Sequence, residues 1–138
     1  FCAGSFSAGE HNDCVAMAKQ FADRTHFVHL RSCYIFPNGN FTEASHLGGR
    51  GHLIDLCRIF EKAEQEGKCN SGRRLPMRVD HGMTFTDEPG GVFDESNHGH
   101  NAGYTLLGRM FAMGQIQGVI ATVDDELGID YKQPGFYD

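Results

Sequence analysis

Apolar positions recur along this chain at two spacings, one helical and one extended, and their alternation sets the expected architecture. After Asp13, which can cap a helix, Cys14, Met17, Ala18 and Phe21 fall on one face of a 3.6-residue period. A second such run carries Leu53, Leu56, Cys57 and Phe60 and frays into the polar stretch 64–74. A third aligns Leu107, Met110, Phe111 and Gly114, and from Gly118 onward the chain reads as an acidic, loosely held tail with an aromatic end. Between these runs, 26–31 (HFVHLR) and 76–80 (PMRVD) are short and apolar-rich, as strands are, and 1–7 reads as a strand end with its exit loop. Side chains alternate across a strand, so His29 and Arg31 share one face and His26 lies on the other. Residues 33–36 and 41–43 flank Pro37-Asn38-Gly39-Asn40, and an Asn-Gly turn between such runs predicts a hairpin.

Strand, helix, strand, helix, strand, helix, with long loops after the strands, is the rhythm of an α/β fold whose parallel strands are joined by right-handed crossovers, with helices outside. The hairpin is then an excursion within one loop. Three βα units cannot close a (β/α)8 barrel, which takes eight strands and typically about 250 residues. By themselves the units leave open a portion of a larger barrel and a stand-alone three-layer fold.

Composition narrows the function. The chain has 138 residues, 40% of them hydrophobic, as one globular domain does, and its formal net charge of −6 argues against a nucleic-acid surface. A small anionic substrate stays open if arginines gather locally. No apolar run approaches the roughly 20 residues that cross a bilayer, and nothing resembles a signal peptide, so no membrane partner and a cytoplasmic location are expected. Five cysteines without paired short spacings read as reduced thiols. Asn40-Phe41-Thr42 matches a glycosylation acceptor pattern that has no meaning without secretion. The chain opens on Phe1, inside an apolar segment, which reads as a piece of a longer protein.

The ionisable residues concentrate at the expected strand ends: Cys2 after the first, His29 and Arg31 in the second, Arg78, Asp80 and His81 in the third. In parallel α/β folds these ends build the active site. A thiolate, an imidazole and a carboxylate meeting there would suit a divalent transition metal. Each has a plainer use: Cys2 as a small buried hydrophobe, His29 as a satisfied strand histidine, Asp80 as a loop starter, Tyr104 as an anchor for the third helix. His26 and His29 are not a helical metalloprotease pair, because no glutamate accompanies them and the strand splits them between faces. His98 and His100, in a glycine-rich loop, read as solvated.

The segments FCAGS, HFVHLRS, FTEASHLGGRGH, PMRVDHG and AGYTLLGR, in this order, resemble the C-terminal motifs of mannonate dehydratases. The resemblance covers nearly the whole chain outside the tail and parts of the loops. It implies that residues 1–138 are the C-terminal part of a single catalytic barrel similar to xylose isomerase, with Cys2, His29 and Asp80 ligating Mn²⁺ or Fe²⁺. It further implies His81 and Tyr104 as the acid–base pair and Arg31, Arg78 and His46 as substrate contacts. The implied reaction is loss of water from D-mannonate, giving 2-keto-3-deoxy-D-gluconate in hexuronate catabolism, by a homo-oligomer of the full-length chain. One further ligating histidine and the earlier strands lie upstream in the family, so this stretch is expected to be inactive alone. The loop 82–102 also reads as longer than the family's connection. A sugar isomerase or epimerase on the same barrel is the second reading, and a non-catalytic domain or fragment the third.

Overall fold

The computed structural model describes residues 1–85 and 103–130. Three chain segments run side by side in parallel. Cys2 bridges His29, and β1 (Val28–His29) pairs with β4 (Met77–Arg78) in the register Val28 to Met77 and His29 to Arg78. Among the described residues only these few hold the ladder, less than the spans 26–31 and 76–80 expected from composition. The parallel pairs are joined by helical crossovers, as parallel strands must be. Helix α1 (Ala3–Ser7) and helix α2 (Cys14–Phe21) lie between Cys2 and β1, and α3 (Leu53–Gln65) lies between β1 and β4.

Helix α2 starts where Asp13 predicts, its side chain accepting the Ala16 N–H at 2.9 Å. Its inward face differs from the expected one: Cys14, Ala18 and Ala22 are buried, whereas Phe21 turns outward and the Arg24 guanidinium lies over its ring. Small residues face in because α2 lies close against α1 and α3. Helix α3 buries Leu53, Leu56, Cys57 and Phe60 as its period requires. These meet Val28 and Leu30 from the inner face of the β1 segment, and Phe1 stacks edge-on against both Phe6 and Phe60. The hairpin forms as expected, from β2 (Cys33–Ile35) and β3 (Phe41–Glu43), with Gly39 at φ +83 completing its turn. All five cysteines are free thiols, four of them buried, and burial pushes Cys57 up to about 12.

Helix α4 (Leu106–Leu127) departs most from expectation. The buried residues are Gly108, Ala112, Ile116, Val123 and Asp124, while Leu107, Met110 and Phe111 are exposed. Backbone contact decides the face. A Cβ on Gly82 would lie 2.3 Å from the Gly108 carbonyl oxygen, and one on Gly108 would lie 2.1 Å from that of Met83. Only two glycines let the chain after β4 rest on the first turn of α4, and that contact turns the small side in. The helix also runs through the stretch expected to be a loose tail and ends at Leu127, where Gly128 takes φ +67 as a C-terminal cap. At 22 residues with a window of mean hydropathy 1.2, it is long and apolar enough to cross a bilayer, contrary to the expectation that no such run exists. Here it packs along α3 instead. The greater part of the expected loop 82–102, with His98 and His100, and the aromatic end of the tail lie outside the described residues.

Candidate metal and acid–base centre

The parallel register assembles the centre. Cys2 sits beside His29, and His29 sits beside Arg78, two residues before Asp80. On the β1 segment Val28 and Leu30 point into the core, which sends His29 and Arg31 to the opposite face. One ligand atom each from Cys2, His29 and Asp80 lies within 4.8 Å of the others. Asp80 takes φ +59, a left-handed conformation that aspartate tolerates better than most residues. A non-glycine residue held there is a mark of local constraint at functional positions. His26 lies apart, exposed and 3.2 Å from the Asn70 side chain.

Asp80 is only 5% exposed, yet its oxygens are well attended. Oδ2 is 3.5 Å from His29 Nδ1. Oδ1 accepts from the Tyr104 hydroxyl at 3.2 Å and lies 3.3 Å from Arg78 Nη2. The Ser5 hydroxyl donates to Cys2 Sγ at 3.1 Å. Burial lowers the pKa of His29, with Arg78 acting in the same direction and Asp80 opposing, so a neutral ring with a lone pair is favoured. A sulfur, a nitrogen and a carboxylate oxygen, one already supported by a hydroxyl and another by a tyrosine, are a donor set suited to a divalent transition metal.

His81 and Tyr104 meet beside these donors, their ring centroids 4.3 Å apart, with the Arg109 guanidinium over the tyrosine ring. His81 Nε2 is 3.9 Å from Asp80 Oδ2. The three expected substrate contacts are placed differently from one another. Arg78 is 40% exposed along its side chain and open to an anion. Arg31 is committed: Nε donates to Glu43 Oε2 at 2.8 Å and Nη2 to Oε1. His46 is 1% exposed, and its Nε2 donates to the Val79 carbonyl at 2.9 Å. As folded, His46 supports the backbone just before Asp80 rather than facing solvent. Glu43 was assigned no role from sequence. Its only signal there is a place inside the FTEASH motif, and its importance follows from the hairpin folding back onto Arg31.

Fold and donors together define an α/β protein with a candidate divalent-metal centre at the ends of its parallel segments. The model of the family described as D-mannonate dehydratase (UxuA) matches residues 1–129, and the chain belongs to that family. It is 38% identical over 128 residues to Mannonate dehydratase 2 of Agrobacterium fabrum, covering 91% of this chain and 30% of that protein. With the mannonate dehydratase of Saccharophagus degradans it shares 36% over 125 residues, 89% of this chain and 30% of the relative. The chain thus spans about 30% of the length of these curated relatives. The crystal structure of mannonate dehydratase from Streptococcus suis serotype 2 superposes with a TM-score of 0.72 at 19% identity, covering 99% of this chain and 36% of that one. That likeness is one of fold.

Proposed function

We propose that this chain is the C-terminal portion of a mannonate dehydratase, a (β/α)8-barrel hydro-lyase that converts D-mannonate to 2-keto-3-deoxy-D-gluconate in hexuronate catabolism. The observation that carries the reading is the meeting of Cys2, His29 and Asp80 within 4.8 Å, with the His81–Tyr104 pair alongside. Cys2, His29 and Asp80 would hold Mn²⁺ or Fe²⁺ together with a further histidine from outside this stretch. Such an ion supplies Lewis-acid stabilisation of negative charge on the substrate carboxylate.

The chain's own residues do the rest. Arg78 offers a fixed cationic fork for the carboxylate of a sugar acid. His81 and Tyr104 divide the proton transfers, one removing the C2 proton and the other protonating the departing C3 hydroxyl. Asp80 orients Tyr104 through its hydroxyl hydrogen bond. The same reading entails a cytoplasmic homo-oligomer of the full-length chain.

The test is an assay of the full-length protein, loaded with Mn²⁺ or Fe²⁺, for 2-keto-3-deoxy-D-gluconate formed from D-mannonate. Loss of mannonate to that product is expected, with H81A and Y104F each reducing turnover by about 100-fold or more. Formation of a ketose or epimer instead would assign the site to an isomerase, and absence of Mn²⁺ or Fe²⁺ binding would remove the metal centre altogether.

A further inference from the structure

Asp80 lies just past the point where its strand ends. Among the described residues, the last bond between the two parallel segments runs from the Leu30 N–H to the Arg78 carbonyl at 2.7 Å. One residue further on, the carbonyl of Val79, a residue only 7% exposed, accepts from a side chain instead: His46 Nε2 donates to it at 2.9 Å. A buried carbonyl deprived of its donor is costly. This bond therefore fixes the backbone between the end of the ladder and the left-handed turn at Asp80.

His46 is in turn held from helix α4. Its backbone N–H donates to Gln115 Oε1 at 3.1 Å. Gln115 Nε2 donates to the Ser45 hydroxyl at 3.0 Å, and that hydroxyl lies 3.2 Å from Oε1. One side chain on α4 thus holds two successive residues of the loop that follows β3. The same loop is pinned toward the β1 and β2 segments. The Ala44 N–H donates to the Ser32 carbonyl at 2.9 Å, and Gly49, at φ +68, would place a Cβ 2.6 Å from the Cys33 carbonyl oxygen. With both ends of loop 44–49 fixed, the place of the His46 ring is fixed as well.

We propose that His46 and Gln115 are positioning residues for the metal centre. Gln115 seats loop 44–49 against α4, and His46 carries that placement to the Val79 carbonyl. The carbonyl sets the turn that aims the Asp80 carboxylate at Cys2 and His29. This rests on the reading of Asp80 as a ligand and deepens it, since neither residue supplies a donor atom. What matters is a hydrogen bond to a carbonyl, not the volume of the ring. A glutamine at position 46 can donate from its side-chain amide, whereas a leucine fills the space and donates nothing.

Mn²⁺ titration of the full-length protein, followed by electron paramagnetic resonance, compares the two substitutions. H46L should weaken binding by about 10- to 100-fold, the scale of a lost outer-shell partner, and H46Q should stay within about threefold of the unaltered protein. Q115L should weaken binding less than H46L does, and H46L/Q115L should bind no more weakly than H46L alone, because both act along one path. In the metal-free protein, amide hydrogen exchange separates position from stability. The Gly82 N–H donates to the Gly103 carbonyl at 2.7 Å. H46L should speed its exchange by about 10-fold or more and leave that of Phe60, buried in α3, unchanged. If H46L does not fold, Q115L is compared in the same two ways with Q115E, which keeps an acceptor for the His46 N–H. Equal Mn²⁺ affinity in H46L and H46Q, or exchange that rises alike at Gly82 and Phe60, overturns the proposal. Absence of Mn²⁺ binding by the unaltered protein refutes the metal centre instead, and the exchange measurement still judges the two positioning residues.

Discussion

Two groups of carboxylates are buried among the described residues, and their neighbours give them opposite characters. At the strand ends, Asp80 and Glu43 are surrounded by Arg31, Arg78, His29, His81 and the Tyr104 hydroxyl. Between α3 and α4, Glu61 and Asp124 are buried with little compensation, and Asp124 Oδ1 has no hydrogen-bond partner among the described residues. Burial pushes Glu61 up to about 7, with Asp124 and Glu64 adding to the rise and Arg74 opposing it. Burial likewise raises Asp124. Low exposure is common to both groups; what separates them is the supply of donors and cations, which leaves one poised for chemistry and the other a cost to folding.

The largest expected effect is at Asp80. Replacing it with asparagine, which tolerates the same left-handed backbone, exchanges an anionic ligand for a neutral one and should weaken Mn²⁺ binding by more than the ~10- to 100-fold typical of outer-shell losses. Metal titration of the full-length protein measures this. Thermal stability should change little, and a collapse in Tm would show that the strand-end carboxylate is structural after all.

At the other group, stability should move and metal binding should not. Because its pKa is raised in the fold, Glu61 contributes fully to stability below pH 4.5, and that contribution is lost as pH rises through about 7. E61Q should therefore stabilise the protein at pH 8 by up to roughly 3 kcal/mol and change nothing at pH 4. Urea unfolding at the two pH values reads the difference, and equal gains at both would remove the contrast.

A smaller loss is expected for G4A, which forces the Arg31 stem off the backbone it covers and should cost about 1–3 kcal/mol. Thermal unfolding reads the loss, and an unchanged Tm would show that the Arg31 stem moves aside without cost. The smallest effect is a pH slope of opposite sign. His46, facing the Val79 carbonyl with Glu43 and Asp80 nearby, has its pKa lowered by burial. Its contribution is present above pH 6.5 and lost as pH falls further, partly offsetting Glu61 in the native protein. In E61Q the offset is gone, and stability should fall more visibly on the acid side; replacing His46 with glutamine in that background should flatten the curve.

Legibility followed the range of the interactions. Helix α3 and the hairpin could be read because their signals, a 3.6-residue period and an Asn-Gly turn, act within a few residues. Helix α4 was read with the wrong face, since contact between Gly82 and Gly108, 26 positions apart, outweighs the pull of Leu107, Met110 and Phe111. Its length was underread because Gly118 resembles a stop, while the true cap is Gly128. The pairing of Arg31 with Glu43 was not legible, because its partner comes from the far strand of the hairpin.

The residue types suited to a metal and to proton transfer, and the local elements that carry them, were determined by the sequence alone, because propensity, capping and turn chemistry act between near neighbours. Only the tertiary structure decided that Cys2, His29 and Asp80 converge, that Asp80 takes a left-handed backbone, and that Glu43 faces both Arg31 and His81. Those contacts join residues separated along the chain, and parallel register and helix packing, which no local pattern encodes, bring them together.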